Sequence, residues 1–164
     1  YSQWRVGRVR KDGTFYLFKI YKFRSMVPNA DQMLKDLQAQ NEATGPMFKM
    51  MHDPRIIPGV GNFIRKHSID ELPQLINVFL GQMNLIGPRP GLPREVALYS
   101  ERDMKRLAVK PGCSGPWQVT GRSYLGFNEM VTLDLDYIER RSLGQDLRLI
   151  IGTLKTMLSG EGAA

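Results

Sequence analysis

Two adjacent carboxylates, Asp70 and Glu71, follow closely on two cations in the run Arg65-Lys66-His67-Ser68-Ile69-Asp70-Glu71-Leu72-Pro73-Gln74. An ionised carboxylate is a nucleophile toward phosphorus and a ligand for a hard cation, so this pair is where chemistry is first sought. The same residues have a plainer use. Ser68 and Glu71 have capping-box spacing with Ser68 as N-cap, and Asp70 is an equally good N-cap that seats Pro73 in the first turn. In either register the acidic pair lies at the positive end of a helix dipole, where free backbone N–H groups attract anions. Catalysis requires more than a cap: a metal or phosphate nearby, and other polar groups converging on it.

Positioning the pair requires a helix behind it. Leu72, Leu75, Ile76, Phe79 and Leu80 recur at helical spacing, which predicts a helix with that side buried and Gly81 at its end. Residues 1–27 read as β-rich, with the aromatic run 15–23 following an Asp12-Gly13 turn signal. Arg5, Arg8, Arg10 and Lys11 precede that turn and read as a solvated strand face. Lys19, Lys22 and Arg24 alternate with aromatics, a pattern shared by single-strand nucleic-acid surfaces. A short helix is expected over 29–41, broken at Thr44-Gly45-Pro46. The Met47–Met51 stretch is either core or an interfacial segment with Lys49 at the headgroups. Asn62–Lys66 reads as a short basic helix leading into the acidic pair.

Further along, Pro88-Arg89-Pro90 fixes φ on both sides of Arg89. It is either a stiff connector or an arginine preset for phosphate or carboxylate. Residues 94–107 read as one charged amphipathic helix, and 110–122 as a turn-rich loop around Trp117. Helices are expected over 128–140 and 146–158, the last with Leu147, Ile150, Ile151, Leu154 and Leu158 facing inward.

The 164 residues are enough for one domain with a core, and 42% hydrophobic with 24% charged residues argues against disorder. A net charge of +7 favours an anionic partner: nucleic acid, an acidic membrane face or a phosphorylated substrate. One cysteine, Cys113, supports neither a disulfide framework nor a zinc site and reads as a small buried apolar residue. His52 and His67 lack metal spacing. No stretch reaches the ~18 apolar residues of a spanning helix.

In chain order, seven segments resemble the bacterial polyprenyl-phosphate sugar-1-phosphate transferases, the monotopic phosphoglycosyl transferases. They are Tyr21-Lys22-Phe23-Arg24-Ser25-Met26, Asp53-Pro54-Arg55, Ser68-Ile69-Asp70-Glu71-Leu72-Pro73-Gln74, Gly87-Pro88-Arg89-Pro90, Lys110-Pro111-Gly112 with Trp117-Gln118-Val119, Gly121-Arg122-Ser123, and Leu133-Asp134 before Tyr137. Each alone is weak; their order over nearly the whole chain is specific. The resemblance implies a two-step transfer with Mg²⁺. The aspartate matching Asp70 attacks the sugar-bearing phosphoryl of a nucleotide diphosphate sugar, and a polyprenyl phosphate then takes the phosphosugar. Glu71 is the expected Mg²⁺ ligand. Lys22, Arg65 and Arg89 are expected to neutralise phosphate charge, with Arg24, Arg55 and Arg122 as further candidates. Asp134 matches a position near the family's active site, and an arginine-pairing structural role is equally open.

The resemblance also implies the cytoplasmic face of the bacterial inner membrane, a role at the start of polysaccharide or glycoconjugate assembly, and no nucleic-acid partner. An oligomer is left open. Residues 1–164 are expected to be a single catalytic domain without the family's N-terminal membrane segment. The expected fold is an irregular α/β domain with a small antiparallel β element. Several short helices, some on the membrane surface, are expected around the acidic pair.

Overall fold

Strands β1 (Ser2–Val9) and β2 (Phe15–Tyr21) form an antiparallel hairpin in which Arg5 faces Phe18 and Ser2 faces Tyr21. Gly13, at φ 81°, makes the turn between them as the Asp-Gly pair predicts. The computed structural model describes residues 1–43, 45–121 and 125–160. Among these there are eight α-helices: α1 (Ala30–Leu37), α2 (Val60–Lys66), α3 (Gln74–Phe79), α4 (Pro93–Val96), α5 (Glu101–Met104), α6 (Pro116–Thr120), α7 (Phe127–Arg140) and α8 (Leu143–Ser159). A second pair of strands, β3 (Asn84–Ile86) and β4 (Gly112–Ser114), runs parallel, which the sequence reading did not contain. The mixed helix and sheet class and the small antiparallel element are as expected.

Two expected elements divide. The helix foreseen over 94–107 is interrupted because Ser100 caps a new helix: its Oγ accepts from Asp103 N (3.3 Å), while Asp103 Oδ2 accepts from Ser100 N (2.9 Å). The loop around Trp117 holds a strand, β4, and a helix, α6, that starts at Pro116.

The core consists of three small clusters. Val6, Val96 and Leu107 join β1 to α4 and the 3₁₀ turn Lys105–Ala108. Phe18, Ile20 and Met83 lie under the hairpin, with Cys113 packed against them. Phe127, Met130 and Val131 anchor α7, with Met47 and Trp117 against them.

The orientation of α3 reverses the expectation. Its buried residues are Gln74 and Asn77, and Leu72, Leu75, Ile76, Phe79 and Leu80 are exposed, Phe79 by 91%. Asn77 explains why. Its Oδ1 accepts from Tyr21 N (3.1 Å), and its Nδ2 donates to Lys19 O (2.8 Å) and Gln82 Oε1 (2.7 Å). A buried amide with three partners fixes which face of α3 meets β2. The apolar stripe then has nowhere to point but outward. In α8, Leu147, Ile151, Leu154 and Leu158 are exposed too, so the inward face expected there is corrected, and no residue of that helix is fully buried. Helix α2 exposes Val60 and Phe63. Helices α3 and α8 both pack on β3 and β4, and His67 after α2 donates from Nδ1 to Met157 O of α8 (2.7 Å). The three outward apolar faces therefore belong to neighbouring helices. Among the described residues no helix is long and apolar enough to cross a membrane.

Candidate active site

Asp70 and Glu71 lie in a 3₁₀ turn, Ile69–Glu71, ahead of α3. The capping box expected from Ser68 and Glu71 does not form: Ser68 makes no side-chain cap and takes a left-handed conformation at φ 53°. It is the only non-glycine residue with positive φ among those described, a strained backbone position two residues ahead of Asp70. The turn is tied to the hairpin, since Phe23 N donates to Asp70 O (2.9 Å). That bond brings Lys22, at the end of β2, to the acidic pair.

Glu71 is the fixed member. Its Oε1 accepts from Lys22 Nζ (2.6 Å) and Arg89 Nη1 (3.1 Å), and its Oε2 from Gln118 Nε2 (3.3 Å). Burial alone would raise its carboxyl, but Lys22 and Arg89 hold it well below the usual carboxylate range. Asp70 is the opposite case. It is buried, and among the described residues no side chain donates a hydrogen bond to its carboxylate. Burial pushes its pKa up, with Lys22 opposing and Glu71 adding to the rise. One carboxylate is held by cations, and its neighbour, among the described residues, has no side-chain donor on it.

Arg89 is placed by backbone packing on both sides. Val6 N donates to Gly91 O (3.0 Å), tying its loop to β1, and Gly112 N donates to Pro88 O (3.0 Å), tying it to β4. A side chain at Gly112 would collide with the backbone of Gly87, so two glycines in contact allow this approach. The Arg89 guanidinium crosses the face of Trp117 at 5.6 Å.

Around the pair opens a cavity of about 430 Å³, within the usual range for small-ligand sites. Lys22, Arg24, Arg55, Arg65, Arg89, Asp70 and Glu71 all line it, so the structure brings these sequence candidates together. Arg55 lies against Asp53 through two bonds (Nε–Oδ1 2.8 Å, Nη2–Oδ2 2.6 Å) and across Phe48. Met47, Phe48, Lys49 and Met50 form part of the cavity wall.

Asp134 stands apart. It is fully buried on α7 and does not line the cavity. It accepts from Arg106 Nε and Nη2, each at 2.7 Å, the arginine pairing that the sequence left open. Burial pushes its pKa up to about 6, against the pull of Arg106. Arg106 lines the cavity, donates to Tyr99 Oη (3.0 Å) and reaches Arg89 O (3.4 Å). Arg122 lies outside the described residues.

The sequence reading missed Arg5 and Arg106 as cavity residues. For Arg106 no local pattern signals burial. For Arg5 the alternation of β1 was available, but not which face carries the cavity. With nine arginines and lysines against five carboxylates, the lining is cationic. Among the described residues no three His, Cys, Asp or Glu side chains gather as a metal cage.

Residues 1–160 match the family described as bacterial sugar transferase. The chain belongs to this bacterial sugar transferase family. It is 47% identical over 164 residues to a protein of Streptococcus agalactiae serotype III (strain NEM316) named galactosyl transferase CpsE, covering 99% of this chain and 35% of the relative. It is 42% identical over 167 residues to the undecaprenyl-phosphate galactose phosphotransferase of Salmonella typhimurium, covering 99% of this chain and 34% of the relative. A shorter relative, the exopolysaccharide production protein ExoY of Sinorhizobium fredii, is 35% identical over 150 residues, covering 89% of this chain and 66% of its own length. This sugar transferase chain therefore spans about a third of the first curated relatives it matches.

Proposed function

We propose that this protein moves a sugar 1-phosphate from a nucleotide diphosphate sugar to polyprenyl phosphate, with Asp70 as the nucleophile. The observation that carries this is the contrast within the pair: in a cationic cavity Glu71 is held by Lys22, Arg89 and Gln118, while among the described residues no side chain donates to Asp70. In the first step a carboxylate oxygen of Asp70 forms a bond to the sugar-bearing phosphorus. The bond to the bridging oxygen breaks, and nucleoside monophosphate leaves with the electron pair. In the second step an oxygen of polyprenyl phosphate attacks the same phosphorus and Asp70 departs as carboxylate. Lys22 and Arg89 stabilise charge on the phosphoryl oxygens. Asp134 acts through Arg106, which it holds at the cavity wall. The names of the relatives, which include undecaprenyl-phosphate phosphotransferases, point to the same lipid acceptor.

The donor set fits Mg²⁺. Among the described residues Glu71 Oε2 carries only a long amide contact, Asp70 is adjacent, and Mg²⁺ accepts one or two carboxylates when phosphate and water complete its shell. When bound, the ion would neutralise phosphate charge and lower the pKa of Asp70.

The outward apolar faces of α2, α3 and α8 support a place on an anionic membrane, the cytoplasmic leaflet of a bacterial inner membrane, with helices lying in its surface. A nucleic-acid partner is not part of this proposal, because it gives no role to the acidic pair Asp70 and Glu71 or to the fixed Pro88-Arg89-Pro90 run at the cavity.

The test is incubation with nucleotide diphosphate sugars, Mg²⁺ and polyprenyl phosphate. Nucleoside monophosphate should be released, and mass spectrometry should find a phosphosugar on Asp70. Asp70→Asn should reduce release by at least about a thousandfold, the scale expected for a lost nucleophile. An unchanged rate in that variant rules the mechanism out.

A further inference from the structure

Three arginines are buried among the described residues: Arg5, Arg55 and Arg106. Two of them face a carboxylate at ion-pair distance, Arg55 with Asp53 and Arg106 with Asp134. Arg5 does not. It is 8% exposed, its Nη2 donates to Gln3 Oε1 (2.9 Å), and its Nε has no hydrogen-bond partner. Its register partner on β2 is Phe18, so its stem rests on the apolar face of the hairpin. Its head lines the same cavity as Arg89 and Asp70.

An ionised guanidinium buried without a counter-ion is costly to the folded state. Burial and the nearby Arg89 push its pKa down to about 10, and Glu95 and Glu71, beyond ion-pair distance, oppose them. A bound phosphate would supply the missing charge. We propose that Arg5 binds a second substrate phosphate, distinct from the one that Asp70 attacks. This rests on the phosphoryl-transfer reading above. Lys22 and Arg89 are paired with Glu71, next to Asp70. Arg5 comes from β1 and, of the three buried arginines among the described residues, is the one with no carboxylate at ion-pair distance. The phosphate it takes has two sources: the nucleoside side of the donor diphosphate, or the headgroup of the polyprenyl acceptor.

Thermal-shift titration of the protein and its Arg5→Gln and Arg5→Lys variants with pyrophosphate tests this without turnover. Pyrophosphate should stabilise the parent protein. Its apparent affinity should fall about tenfold or more in Arg5→Gln, as for loss of a charge-assisted hydrogen bond, and recover in part in Arg5→Lys. Without ligand, Arg5→Gln should melt at the parent temperature or above it, since the substitution removes an uncompensated buried charge. Repeating the titration with nucleoside monophosphate and with a short-chain polyprenyl phosphate identifies the source, as the one whose stabilisation Arg5→Gln loses. Equal affinity for all three ligands in parent and Arg5→Gln overturns the proposal and leaves Arg5 a structural cation. Because binding is read directly, absence of an adduct on Asp70 would sink the transfer mechanism while leaving this result interpretable.

Discussion

At the residue scale, two neighbouring carboxylates are driven in opposite directions by what touches them. Glu71 is more acidic than usual because two cations contact it, and Asp70 is less acidic because it is buried, with Glu71 adding to the rise. The stability consequences have opposite signs. For Glu71 the folded-state pKa is depressed. Its contribution is present above its ordinary value of 4.5 and is lost as pH falls through the lower folded value. For Asp70 the folded-state pKa is raised. Its contribution is present below 3.8 and is lost as pH rises through the higher folded value. In metal-free buffer at pH 7, Asp70→Asn should therefore be more stable than the parent, with the gain closing toward pH 3. Glu71→Gln should be less stable by on the order of 3 kcal/mol, since it strands Lys22 and Arg89, and this deficit should narrow below pH 4.5. Urea midpoints of the three proteins between pH 3 and 7 check both slopes. A destabilised Asp70→Asn at neutral pH would mean that Asp70 is a structural acid. Little of this was legible beforehand. Adjacent acids in a sequence do not say which will meet the cations, because Lys22 and Arg89 arrive from distant segments.

At the element scale, α3 shows what periodicity can and cannot tell. The spacing of Leu72, Leu75, Ile76, Phe79 and Leu80 correctly gives a helix and a shared apolar side. Periodicity names residues that lie together; it does not name the medium they face. That is decided by Asn77, a polar residue outside the stripe that is fully buried. The hairpin, α1, α2, α7 and α8 were legible because each has a local signal: a turn pair, a cap or a stripe. The division of 94–107 and the β3–β4 pair were not, since one depends on a reciprocal Ser100–Asp103 cap inside a continuous pattern and the other on pairing between short, distant segments. Asn77→Ala leaves Tyr21 N, Lys19 O and Gln82 Oε1 without their amide partner. It should cost about 2–4 kcal/mol, above the price of one ordinary hydrogen bond because buried groups are stranded. It should also lower turnover, because β2 carries Lys22 to Glu71. Chemical denaturation together with nucleotide release measures both. A stability loss with full activity would show that β2 and the acidic turn are held together by other contacts.

At the scale of the whole molecule, the cavity and the apolar surface make one arrangement. The acidic pair stands at the start of α3, and α3 turns its leucines and Phe79 away from the protein, as α8 does with Leu147 and Leu154. A substrate whose phosphate must reach Asp70 while its chain stays in lipid needs such proximity between a basic cavity and an apolar face. The two properties are separable by mutation. Phe79 and Leu147 are exposed, so Phe79→Glu and Leu147→Glu remove almost no packing and should leave stability within about 0.5 kcal/mol of the parent. If the apolar face rests on lipid, the double variant should partition at least about tenfold more weakly onto vesicles containing anionic phospholipid, through lost apolar burial and added repulsion. Pyrophosphate binding should be unchanged, because neither residue lines the cavity. Sedimentation with vesicles, read beside the thermal shift with pyrophosphate, distinguishes the cases. Equal partitioning of parent and double variant would mean that these helices do not lie on the bilayer and that another surface covers them.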